Sequence, residues 1–200
     1  INYTFPVIAP TPQGISSFSN PFGGLYNFTM TSFNYTNILN NVKTTTSNLY
    51  NRTKQTAKNV ATTVGHFASR ILNNAKKYLG YNEKDGSYKK FTNGRNEAWC
   101  ADFATYVARE SGANIPHFSS VSQILNWGNK SNRFSKTPKA GDIIIFKGVD
   151  KHGKRVSHTG IVKEVKNGIV YTIEGNTKNK VNDCEYGLND SRITGYVSVA

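Results

Sequence analysis

Asn167-Gly168 constrains this chain more than any other dipeptide. It separates two runs of strand type, residues 159–165 and 169–174. A two-residue Asn-Gly link supplies the left-handed backbone of a tight hairpin, so the two runs are expected to pair antiparallel. In the second run Ile169, Tyr171 and Ile173 alternate with Val170, Thr172 and Glu174. Asp142-Ile143-Ile144-Ile145-Phe146 reads as a further short strand, joined to residue 159 by a charged hairpin loop over residues 149–156, and residues 193–199 read as a last one. Strands spaced this closely form an antiparallel sheet.

Helical patterns precede these strands. Val60, Val64, Phe67, Ala68, Ile71, Leu72, Ala75, Tyr78 and Leu79 recur at helical spacing before Gly80. The stripe is expected to dock on the rest of the domain. The Thr- and Asn-rich residues 43–55 before it carry a weaker signal. Residues 81–96 read as a polar loop. Phe103, Ala104, Val107 and Ala108 share one face of a helix that Gly112 stops, and Val121, Ile124, Leu125 and Trp127 mark another short helix. Helices first and sheet second make the class α+β.

Cys100 falls at the start of the Phe103 helix. Unpaired backbone N–H groups and the positive end of the helix dipole favour an anion there, and a thiolate is an anion. The bland alternative is a small buried hydrophobe. Cys184 is the other cysteine, so a Cys100–Cys184 bridge and a nucleophilic Cys100 exclude each other.

A thiol nucleophile needs a base and a group to orient that base. Of the four histidines, His66 lies on the first helix and reads as structural, His117 follows Pro116 in a turn, and His152 sits among lysines. His158 opens a strand, where ladder hydrogen bonds would hold it facing a packed helix, and it is the best candidate. Counting back from Asn167-Gly168 brings Glu174 near the His158 end of the neighbouring strand, with Asn176 two residues on. Either side chain can then hold the imidazole; a solvated strand-end carboxylate is the plain reading of Glu174.

Trp99-Cys100-Ala101-Asp102-Phe103, Gly141-Asp142-Ile143-Ile144-Ile145-Phe146, Ser157-His158-Thr159-Gly160-Ile161-Val162 and Ile173-Glu174-Gly175-Asn176 occur in this order. Together they resemble the CHAP domain, a family of cysteine, histidine-dependent amidohydrolases and peptidases, over roughly residues 70–200. The resemblance implies a papain-like core, with helices packed on an antiparallel sheet. It implies Cys100 as nucleophile, His158 as base, Glu174 as its orienting group and Asn176 as a further polar member. Backbone N–H groups near Cys100 would meet the oxyanion, and Trp99 would border the cleft and touch substrate. The implied substrate is bacterial peptidoglycan, cut in the stem peptide, the cross-bridge or the glycan–peptide amide. Some relatives bind calcium just upstream of the cysteine. This chain lacks the acidic pattern for it, so no metal and no cofactor are expected.

Composition bears on partners and on residues 1–56. Of 25 Lys and Arg residues and 12 Asp and Glu, residues 1–80 hold seven basic residues and no acidic one. The net charge of +13 favours an anionic polymer. No basic helix with base-reading groups appears, which argues against nucleic acid, and no apolar run is long enough to span a membrane. Residues 1–56 read as an Asn-, Thr- and aromatic-rich arm that can meet a carrier or delivery partner, and residues 57–200 as the catalytic domain with its leading helix. The chain begins with Ile1; a processed form is expected, with any signal peptide out of view, secreted or delivered to the cell wall or periplasm. The competing reading is a catalytically silent module of the same fold that holds a wall polymer or partner.

Overall fold

A computed structural model describes residues 35–149 and 155–200 of the chain. The aromatic-rich residues 1–34 and His152 lie outside the described residues. Two compact units divide the chain, one ending at Tyr50 and one comprising Asn51–Ala200.

Helix α1, Tyr35–Lys77, is continuous, so residues 35–56, expected in an arm, are its first half. Its Thr and Ser residues would ordinarily compete with helical hydrogen bonding. Here the hydroxyls of Thr46, Thr62, Thr63 and Ser69 donate back to carbonyls of the preceding turn at 2.9–3.0 Å. The apolar stripe docks only from Phe67 onward. Phe67, Ile71, Ala75 and Tyr78 are buried, whereas Val60, Val64, Leu79 and His66 remain exposed.

The stretch read as a polar loop contains a one-turn helix, α2, Lys89–Thr92, and contributes buried Tyr88 and Phe91 to the core. Helix α3 spans Cys100–Glu110 and α4 spans Val121–Lys130. A reciprocal capping box starts α4: the Gln123 N–H donates to Ser120 Oγ, and the Ser120 N–H donates to Gln123 Oε1.

Among the described residues there are six strands: β1 Phe134–Ser135, β2 Ile143–Val149, β3 Arg155–Lys166, β4 Ile169–Thr177, β5 Lys180–Gly187 and β6 Ile193–Val197. They form one antiparallel sheet in the order β1-β6-β2-β3-β4-β5. Strands β2 and β3 pair out to Val149 and Arg155, so Val149, Arg155 and Val156 of the expected 149–156 loop belong to the ladder.

Both faces of the sheet are covered. Ile143, Ile145, Ile161 and Ile173 pack with α3 and the aromatic residues around Phe91. Ile144, Phe146, Val162, Val170 and Tyr196 form a second cluster on the other face. That two-sided burial explains why residues 143–146 are uninterruptedly apolar. The architecture is α+β, with helices packed on an antiparallel sheet.

Candidate active site

Cys100 is the first residue of α3, after Trp99 at the N-cap. The first bond of the helical ladder runs from the Phe103 N–H to the Trp99 carbonyl at 3.0 Å. The N–H groups of Cys100, Ala101 and Asp102 therefore precede the ladder, where a helix has donors to spare. A close approach sets this helix start against β4. A Cβ at Gly175 would come within 2.5 Å of Phe103 Cβ and 2.9 Å of Trp99 Cζ3, so only glycine lets β4 lie this near.

His158 and Glu174 meet on β3 and β4. From the Asn167-Gly168 turn the pairs run Lys166 with Ile169, Val165 with Val170 and Glu164 with Tyr171. Between Glu164 and Val162 the register slips by one residue, giving Val162 with Thr172 and Ile161 with Ile173. The next position along puts Glu174 across from Gly160, two residues from His158 and on the same face. A Cβ at Gly160 would collide with the Glu174 side chain, so this glycine makes room for the carboxylate. His158 Nε2 lies 2.8 Å from Glu174 Oε2.

Glu174 is fully buried and collects donors. Thr172 Oγ1 donates to Oε1 at 2.6 Å, and Tyr186 OH and Thr177 Oγ1 donate to Oε2 at 3.0 and 3.1 Å. A solvated strand-end carboxylate would look different. Burial alone would raise its pKa. The hydrogen bond and charge of His158, with the Thr172 and Tyr186 hydroxyls, more than offset this and hold it below the usual value. For His158 burial acts downward, but hydrogen bonds to Cys100 and Glu174, and the charges of both, push its pKa up to about 10. The imidazole thus responds to both thiol and carboxylate, and Thr177 Oγ1 lies 3.1 Å from the same Nε2. With Nε2 given to Glu174, Nδ1 is the nitrogen left for Cys100. Beside it a cavity of about 100 Å³ is lined by Phe146, Lys147, Gly148, His158, Tyr186 and Arg192.

Two of the expected site residues are placed differently. Trp99, expected to touch substrate, is wholly buried. It stacks on Phe91 with ring centres 5.8 Å apart, and its indole N–H donates to Glu83 Oε1 at 3.0 Å. It anchors the helix start from the core side. Asn176 adopts left-handed backbone, φ 59°. With its amide oriented so that both ends find complementary partners, Nδ2 donates to Glu83 Oε1 and Oδ1 accepts from the Trp99 N–H, each at 3.2 Å. It therefore braces the residue before Cys100, while Glu174 is the group on His158. Cys100 and Cys184 are both free thiols. Cys184 lies near Glu174, and burial first, then that carboxylate, push its pKa up to about 11.

Some of this machinery carried no sequence signal that was read. Tyr186 sits on β5, a strand the sequence reading missed. Its residues, Lys180-Val181-Asn182-Asp183-Cys184-Glu185-Tyr186, are polar and poor in strand formers, as an edge strand tolerates. Thr172 was findable, since it shares a face with Glu174 two residues away. His117, read as a turn residue, hydrogen-bonds Asp102 Oδ1 through Nε2 at 2.7 Å, and Arg95 Nη2 reaches the same oxygen at 2.5 Å. Arg95 also pairs with Glu97. The two carboxylates flanking Cys100 in sequence are thus bridged by a guanidinium.

Residues 91–176 match the family profile described as the CHAP domain. No curated protein matches the chain. A solved structure titled "The crystal structure of Ly7917" is similar at 16% identity and a TM-score of 0.44, over 66% of this chain and 62% of that one. The chain thus spans about three fifths of that structure's length.

Proposed function

Residues 91–176 are a CHAP domain, and from that premise we propose that this chain is a cysteine amidohydrolase or endopeptidase acting on an amide bond of bacterial peptidoglycan. The family is one of hydrolytic amidases and peptidases. One observation carries the reading for this chain: the His158 imidazole, whose pKa is raised by Cys100 as well as by Glu174, is held at 2.8 Å by that fully buried, triply hydroxyl-bonded carboxylate. A buried carboxylate is costly to keep charged without such partners, and a polymer-binding module gains nothing from it.

The chemistry follows from the arrangement. Cys100 gives its proton to His158, and the thiolate attacks the amide carbonyl carbon. N–H groups at the start of α3 meet the oxygen as it takes up negative charge. The C–N bond breaks as the His158 imidazolium hands its proton to the departing amine, leaving a thioester on Cys100. His158, neutral again, takes a proton from water; the hydroxide displaces the thiolate and releases the acid. Glu174 keeps the imidazole in one orientation and stabilises its charged form throughout. The basic chain would bring the enzyme to an anionic wall, where we place its action.

The test is digestion of purified peptidoglycan by the native chain and by Cys100→Ala, with fragments read by mass spectrometry. New amino termini with the native chain alone are expected, and their masses name the bond. Equal release by both, or by neither, contradicts the reading.

A further inference from the structure

A second concavity lies beside this site, between residues 82–84 and the β4–β5 turn. It holds about 600 Å³ and is lined by Asn82, Glu83, Lys84, Lys178, Asn179 and Lys180. Its walls are tied together. The Glu83 N–H donates to the Asn179 carbonyl at 3.0 Å, the Gly80 N–H to the Val181 carbonyl at 3.0 Å, and the Val181 N–H to the Tyr81 carbonyl at 2.8 Å. Asn82 and Lys180 add an antiparallel bridge. The groove is therefore built into the fold.

Its charge is lopsided. Three ammonium groups line it, and among the described residues none of them is ion-paired. The single carboxylate is that of Glu83. Its Oε1 already accepts from Trp99 Nε1 and Asn176 Nδ2, so that oxygen is engaged by the protein's own donors. Those bonds also fix the groove's position. Trp99 precedes Cys100, and Asn176 follows Glu174 by two residues, so the groove adjoins the helix start that carries the thiol. The Asn82 amide is taken up by Gly80 and Asp85, so the ammonium groups are what the groove offers, and they suit one kind of guest, a carboxylate.

We propose that this groove is a specificity subsite that receives a free carboxylate of the peptide whose amide Cys100 attacks. The inference rests on the peptidoglycan reading above, and it adds which peptides are preferred. Those with a free carboxylate near the scissile bond bind well, and those with a carboxamide there bind poorly. Lys84, Lys178 and Lys180 are exposed, so each contributes modestly; together they are expected to change KM by about tenfold. Added salt should erode the preference.

The experiment uses soluble muropeptides in two forms, one with free carboxylates and one amidated with carbodiimide and ammonium chloride. Native chain and the triple variant K84Q/K178Q/K180Q are compared for KM and kcat, with melting temperature as the check on folding. The native chain is expected to prefer the free form by about tenfold in kcat/KM, the difference residing in KM. The triple variant is expected to melt like the native chain and to cleave both forms with matching kcat/KM. Equal cleavage of both forms by the native chain, or a preference that survives in the triple variant, overturns the subsite and leaves the peptidoglycan reading standing. Cleavage of neither form by the native chain overturns that reading and the subsite with it.

Discussion

Glu174 and His158 share a face of the sheet because β3 carries one extra residue between Val162 and Glu164. Without that bulge the Asn167-Gly168 hairpin would set Glu174 across from Ile161, and its side chain would leave the sheet on the opposite face from His158. The bulge residue, Lys163, reaches across β4 to pair with Asp183 on β5 at 2.5 Å.

The charge of Glu174 is one of the causes that raise the His158 pKa to about 10. Glu174→Gln keeps the shape and removes the charge. The alkaline limb of kcat/KM, set near that value by loss of the imidazolium proton, is expected to move toward neutral pH. The rate is expected to fall about 10²-fold. A pH–rate profile of native chain and variant checks both.

Stability should follow pH from the same pair. His158 is raised in the folded chain, from 6.5 to about 10, so its contribution is complete below pH 6.5 and is lost as pH climbs toward 10. Glu174 is lowered, so its contribution is present above the usual carboxylate range and is lost as acid protonates it. Urea unfolding across pH should show both declines, and Glu174→Gln should flatten the alkaline one.

Tyr186→Phe removes one donor from a buried carboxylate while keeping the ring contacts with Phe146 and Arg192. A cost of about 1–2 kcal/mol is expected. Because the Tyr186 hydroxyl helps to lower the Glu174 pKa, the acid decline in stability should begin at higher pH in the variant. Chemical denaturation at several acid pH values measures it.

Gly175→Ala tests the approach of α3 to β4. The new methyl would meet the Phe103 and Trp99 side chains within 2.5–2.9 Å, and both are fully buried, with no room to yield. A loss of about 1–3 kcal/mol is expected, seen as a lower melting temperature, with a fall in kcat as the Cys100 end of the helix is displaced.

Much of this was legible in the chain because it is local. The Asn167-Gly168 turn, the alternation around Ile173 and the face shared by Phe103 and Val107 report short-range geometry. Cys100 at a helix start, and Glu174 near His158, followed from counting. What was hidden depends on long-range packing. Trp99 looked like a cleft residue because nothing local shows that Phe91 and Tyr88 close over it. Strand β5 was invisible because an edge strand needs little hydrophobic content, and with it went Tyr186. The exposure of Val60 and Val64 was not readable either, since a stripe reports a capacity to dock and not where the partner surface ends.

The central claim is that the Cys100 sulfur performs the chemistry, and alkylation tests it most directly. Both thiols are free, so the native chain and Cys184→Ala are treated with limiting iodoacetamide. Label at each cysteine is mapped by mass spectrometry against residual cleavage of peptidoglycan. In both proteins, cleavage is expected to fall in proportion to label on Cys100 and to ignore label on Cys184. A chain fully labelled at Cys100 that still cleaves would contradict the account.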